Sequence, residues 1–111
     1  EGVKNARAIA DVDGIDVIFI GPTDLAGSAG VGGDTGHPTV EALIAEAVAA
    51  VRPTGKPLAT VPRRGKTWQQ AFDDGFLFVA AGSDLYYFRV AAEAQFRDWQ
   101  AYAAKTRVAA E

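Results

Sequence analysis

The sequence predicts an α/β fold built on parallel strands, and three observations carry that reading. Apolar stripes at helical spacing alternate with short runs of β-branched and aromatic residues. Those runs are almost continuously apolar, the pattern of strands covered on both faces. The resulting order is helix, strand, helix, strand, helix, strand, helix, which implies parallel neighbours joined by right-handed crossovers.

Each element has its own signal. Val3, Ala6, Ile9 and Ala10 share one face, so residues 2–12 read as a helix that Asp13-Gly14 stops. Ile15-Asp16-Val17-Ile18-Phe19-Ile20 reads as the first strand. Residues 21–37 are Gly-rich and read as a loop, of a length that is usually functional. Pro38 suits a first helical position, and Val40, Leu43, Ile44, Ala47, Val48 and Val51 continue at helical spacing. Gly55-Lys56-Pro57 leads into a short strand over 58–61. Thr67 and Gln70 have the spacing of a capping box, opening a helix that closes at Gly75. Residues 76–81 form the third strand, and Gly82-Ser83-Asp84 turns into the last helix. That helix carries Leu85, Phe88, Ala92, Phe96, Trp99 and Ala103, with a break expected near Tyr87, where aromatics crowd. The Ala-rich end is expected to fray.

At 111 residues, 49% hydrophobic and 23% charged, the chain has room for one domain with a modest core, taken here as 1–111. A net charge of -3 argues against nucleic acid, whose binders carry a basic stripe. The absence of Cys removes disulfides, thiol catalysis and Cys-ligated zinc together. No apolar run is long enough to span a bilayer. A soluble cytoplasmic protein without a membrane partner is the expectation. Three parallel strands, however, leave unpaired amides and carbonyls at both edges. Either partner chains or an upstream segment must complete the sheet. A (β/α)₈ barrel takes about 250 residues, of which this chain would be somewhat under half, the carboxyl-terminal end. Glu1-Gly2-Val3-Lys4-Asn5, which reads as a helix already under way, suits a fragment.

Chemistry is expected where the first strand ends, in Phe19-Ile20-Gly21-Pro22-Thr23-Asp24-Leu25. Ligands of parallel α/β proteins bind beyond the carboxyl ends of strands, so Asp24 stands where a reactive carboxylate would. It could equally cap a short helical turn. His37, the single His, is expected to bond loop backbone near the helix that Pro38 starts; general acid/base work would need a partner that is not evident. Asp84 is expected to cap the last helix, with Ser83 competing. Asp16 lies at the start of its strand, away from the chemical end. Gly30-Val31-Gly32-Gly33 lacks the spacing of a phosphate cradle and suits a lid-like loop.

Together with Gly36-His37-Pro38, Gly55-Lys56-Pro57 and Phe78-Val79-Ala80-Ala81-Gly82-Ser83-Asp84-Leu85, these segments resemble the HpcH/HpaI aldolase family over nearly the whole chain. Members are metal-dependent (class II) pyruvate aldolases acting on 4-hydroxy-2-oxo acids and 2-keto-3-deoxy sugar acids. The resemblance implies the last three strands and flanking helices of a TIM barrel. It implies that Asp24 binds a divalent cation, Mg, Mn or Co, and that Gly21, Pro22, Thr23 and Asp24 hold the pyruvate end of the substrate, with the amides of Thr23 and Asp24 on its carboxylate. The second acidic ligand, the keto-polarising Arg and the His-Asp acid/base pair of the family belong upstream of residue 1, so the isolated chain is expected to be inactive. Val61, the last residue of the second strand, is expected to line the pocket for the aldehyde portion; Arg63 and Arg64 follow that strand and depart from the family's less basic pattern. They are expected to meet an anionic distal group of the substrate, or else to be solvated charges. Phe96, Trp99 and Tyr102 would pack in the core, or anchor a homo-oligomer, by resemblance a hexamer with exchanged last helices. Citryl/malyl-CoA lyase-like and macrophomate-synthase-like chemistry, and a non-catalytic self-assembling half-barrel, remain alternatives.

Overall fold

The computed structural model describes residues 1–108. The fraying expected at Ala109 and Ala110 lies outside the described residues. The chain divides into two compact units, Glu1–Ala81 and Gly82–Glu111.

The first unit is α/β. Its elements are α1 (Ala6–Ala10), β1 (Ile18–Phe19), α2 (Pro22–Ser28), α3 (Pro38–Val51) with a 3₁₀ turn at Arg52–Thr54, β2 (Leu58–Thr60), α4 (Trp68–Asp73) and β3 (Phe78–Val79). The strands form one sheet in the order β1-β2-β3. Both pairings are parallel, with Phe19 opposite Ala59 and Thr60 opposite Val79. The expected order therefore holds, with α2 as an addition inside the segment read as a loop. Pro22 at the first helical position and Asp24 in the first turn are ordinary helix-start signals. They outweigh Gly27, and Ala26 gains full burial from the turn.

Packing explains the lengths. Val40, Ile44, Ala47 and Val51 repeat along one face of α3 and are buried. The small side chains of Ala6 and Ala10 are buried in the same core as these α3 residues. Helix α1 is shorter than expected: hydrogen-bonded turns precede it, Asn5 N–H donating to the Glu1 carbonyl at 3.1 Å. At α4 the capping box is complete, with Gln70 N–H on Thr67 Oγ1 at 3.3 Å and Thr67 N–H on Gln70 Oε1 at 2.9 Å.

Cover on both faces of the sheet, expected from the apolar runs, is not found among the described residues. Leu58, Ala59 and Thr60 of the central strand are buried. Val17, Phe19, Leu77 and Phe78 are exposed, Leu77 by 72%. Phe19 and Phe78 meet edge to face, centroids 6.4 Å apart, on the same open surface. Alternate strand residues point to opposite faces, and the helices bury only one of them.

The second unit is α5 (Asp84–Val108), 25 residues without interruption. The break expected near Tyr87 is absent: no Gly or Pro lies between 84 and 108, and Tyr86 and Tyr87 settle edge to face at 5.4 Å. Ser83 supplies the cap, its Oγ accepting from Tyr86 N–H at 3.2 Å. Asp84 Oδ1 accepts from Leu85 N–H at 2.8 Å. Phe96 stacks on Trp99 at 5.7 Å, yet Phe96, Trp99 and Tyr102 are exposed, so the core packing expected of them is not observed.

Candidate active site

Parallel pairing puts the carboxyl ends of the strands on one rim. Ile20 N–H donates to the Ala59 carbonyl at 2.8 Å, and Ala80 N–H to the Thr60 carbonyl at 3.0 Å. Thr60, fully buried, donates its Oγ1 hydrogen to the Ile20 carbonyl at 2.9 Å. This bond satisfies a buried hydroxyl. It also ties the end of β1 to the end of β2 one residue before the segments that carry the candidate residues. Nothing in the sequence singled out Thr60, because a β-branched residue in a strand needs no further explanation.

Beyond β1 the chain turns at once into α2. Gly21 is its N-cap and Asp24 its third residue. The first helical bond runs from Leu25 N–H to the Gly21 carbonyl, 3.1 Å, so the Thr23 and Asp24 amides precede the ladder and have no helical acceptor. The Asp24 side chain forms no hydrogen bond or ion pair with any described residue. It is exposed, and it borders a cavity of about 400 Å³ with Gly21, Phe19, Ile20 and Leu25. The cavity continues along β1 to Val3, Ala6 and Ile9 and is mainly apolar. A Cβ on residue 21 would stand 2.6 Å from Asp24 Oδ2, so a glycine there leaves room for the carboxylate in this pose. Among the described residues no group of three or more His, Cys, Asp or Glu is gathered as a metal site.

The residues after β2 separate. Val61 is half-buried. Arg63, expected beside an anionic part of the substrate, is forked onto Glu41 of α3, Nε–Oε1 2.5 Å and Nη2–Oε2 2.8 Å, with only 3% of its side chain exposed. Its remaining Nη1 is buried without a partner among the described residues. Arg64 is 78% exposed and stands 3.5 Å from Asp34. Lys66 pairs with Asp74 at 2.7 Å, and Arg52 donates to the Asp74 carbonyl at 2.6 Å. Glu41 escaped the sequence reading because its partner lies 22 residues away; its only local signal is an acid in the first turn of a helix.

The Arg63 hydrogen bonds hold the Glu41 carboxyl below its ordinary pKa, and the same bonds raise Arg63. A carboxylate with a lowered folded pKa stabilises the fold fully above the ordinary value of about 4.3. The contribution fades as pH falls through the lower folded value. Glu41→Gln is therefore expected to destabilise the protein by about 1–2 kcal/mol at pH 7. The gap in thermal unfolding between variant and parent should be smaller in acid, below the lowered Glu41 value, than at pH 7. An equal gap at both pH values would contradict the assignment.

His37 lies where expected: it is the N-cap of α3, with Nδ1 accepting from Thr39 N–H at 3.2 Å. Asp16 precedes β1, opposite the rim.

Residues 1–91 match the family model described as HpcH/HpaI aldolase/citrate lyase. The chain belongs to the HpcH/HpaI aldolase/citrate lyase family. A 4-hydroxy-2-oxovalerate aldolase from Novosphingobium aromaticivorans is 40% identical over 98 residues, 88% of this chain and 37% of that protein. A 4-hydroxy-2-oxo-heptane-1,7-dioate aldolase from Klebsiella pneumoniae subsp. pneumoniae is 40% identical over 84 residues, 76% and 32% of the two chains. The chain thus spans about a third of the length of the curated relatives it matches. Among solved structures, a family protein from Burkholderia cenocepacia J2315 superposes with a TM-score of 0.75 at 28% identity, over 89% of this chain and 38% of that one. The citrate synthase SbnG follows with 0.67 at 25%, over 96% and 41%. This HpcH/HpaI chain therefore carries an α/β fold with a parallel sheet, shared with lyases and aldolases of its family.

Proposed function

We propose that this chain is the carboxyl-terminal part of a (β/α)₈ barrel that cleaves 4-hydroxy-2-oxo acids to pyruvate and an aldehyde with the help of a divalent cation. The observation that carries the reading is the Asp24 carboxylate, unengaged at the carboxyl rim and bordering a cavity of about 400 Å³. A carboxylate used only to start a helix would need no cavity beside it. An oxygen ligand suits a hard cation such as Mg²⁺ or Mn²⁺. Asp24 therefore fits as one ligand, and one alone holds such an ion weakly. The apolar cavity along the free edge of β1 supports a further strand there, ending next to Asp24 and bringing the second acid.

When bound, the cation supplies Lewis-acid stabilisation of charge developing on the keto oxygen during carbon–carbon cleavage. This chain's own contribution is positioning. Thr60 fixes the ends of β1 and β2, Gly21 leaves space for the carboxylate, and the amides of Thr23 and Asp24 offer donors to the substrate carboxylate. Val61 lines the aldehyde side. The assembly is a homo-oligomer in which the exposed aromatic residues of α5 find cover, and its setting is the cytoplasm.

Exchange of the pyruvate methyl protons with solvent deuterium tests the chemistry without any aldehyde. In the full-length polypeptide, exchange is expected with Mn²⁺ or Mg²⁺, is lost in excess chelator and returns when metal is added. Exchange indifferent to chelator would contradict the proposal.

A further inference from the structure

We infer that Arg64, and not Arg63, is the residue that selects substrates with a distal carboxylate, while Arg63 is a positioning residue that holds Arg64 in place. The inference rests on the aldolase reading and goes further into the same site.

The two neighbours differ in what they have left to give. Arg63 has spent its Nε and Nη2 on Glu41, and its guanidinium is enclosed. Its third nitrogen, Nη1, is closed off from solvent, with 3% of the side chain exposed. Arg64 has the opposite character, a fixed base and a free head. Arg63 and Lys66 exchange backbone hydrogen bonds at 3.0 and 2.9 Å, closing a tight turn with Arg64 and Gly65 at its tip. Arg64 N–H donates to Thr35 Oγ1 at 3.1 Å. Gly36 lies so close that a Cβ there would stand 2.9 Å from the Arg64 carbonyl oxygen. The segment after α2 and the segment after β2 are therefore clasped together. Thr35 and Gly36 belong to the strand-to-helix segment that contains Asp24, and Arg64 to the next such segment, on the same rim.

The head of Arg64 touches one acid, Asp34, at 3.5 Å, with 36% of that side chain exposed. Asp34 Oδ1 also accepts from Gly36 N–H at 3.2 Å. A long contact to a solvated carboxylate is weak. A planar substrate carboxylate, able to take two parallel N–H donors, competes with it on favourable terms.

The test compares, in the full-length polypeptide, kcat/KM for two aldehydes of equal length in condensation with pyruvate, one ending in a carboxylate and one neutral. Arg64→Gln is expected to lower the charged-to-neutral ratio about tenfold, through KM for the charged aldehyde. Asp34→Asn keeps an acceptor for Gly36 N–H and removes the competing charge, so the ratio should rise. Arg63→Lys keeps the charge without the fork, and should lower Tm and lower the charged-to-neutral ratio in the same direction as Arg64→Gln. A ratio unchanged in Arg64→Gln, with exchange intact, overturns the inference alone. Absence of metal-dependent exchange in the parent overturns the aldolase reading and the inference with it.

Discussion

Asp24→Asn is expected to lower metal-dependent turnover of the full-length polypeptide by at least about 100-fold, equivalent to about 2.7 kcal/mol of barrier. Asn keeps the shape of the side chain and removes the charge that a hard cation requires. Stability should hardly move. Asp24 is exposed and has no hydrogen-bonding or ionic partner among the described residues, so the loss is confined to its favourable position in the first turn of α2. Such an acid contributes about 0.3–1 kcal/mol. The contrast between the two readouts is what makes the variant decisive. A mere helix-start acid predicts the same small loss of Tm with full activity. Measured together, kcat/KM, metal affinity and Tm separate the two.

The 111-residue chain purified alone is expected to show no turnover above buffer, with any metal. Two features lead there independently. The sheet has three strands, its open face exposes Val17, Phe19 and Phe78, and Leu77 is exposed beside it. Unpaired strand edges and an apolar face of that kind associate readily. Among the described residues Asp24 is the one acid lining its cavity, and no group of three or more potential ligands is gathered. Self-association in sedimentation, without specific Mn²⁺ binding, is the expected behaviour of the isolated chain. Joining the upstream segment should restore both metal binding and turnover. Activity in the chain alone would show that Asp24 needs no further ligand.

The sequence exposed those parts of the fold that depend on neighbours in the chain. Pro38 marks the start of α3, Thr67 and Gln70 build the capping box of α4, and the strand runs lie within the expected segments. Each is local chemistry over a few residues. The hidden parts depend on distance. Helix α2 reads as loop because Gly21, Gly27, Gly30, Gly32 and Gly33 punctuate the segment around it, while the burial of Ala26 that rewards the turn is tertiary. Continuous apolar runs indicated cover on both faces, and only one face is covered among the described residues. Asp24 was legible because a Gly-Pro turn after an apolar strand fixes where the next acid falls. Arg63 was not, because its fate is decided by Glu41 on another element, and Arg64 beside it keeps the exposure that both were expected to share.

The most direct measurement is the position of the metal. Crystals of the full-length polypeptide grown with Mn²⁺ and pyruvate should give an anomalous peak about 2.0–2.3 Å from an Asp24 carboxylate oxygen, with a second acid on its far side. An ion bound elsewhere, with Asp24 turned into a helix-end hydrogen bond, would contradict the account.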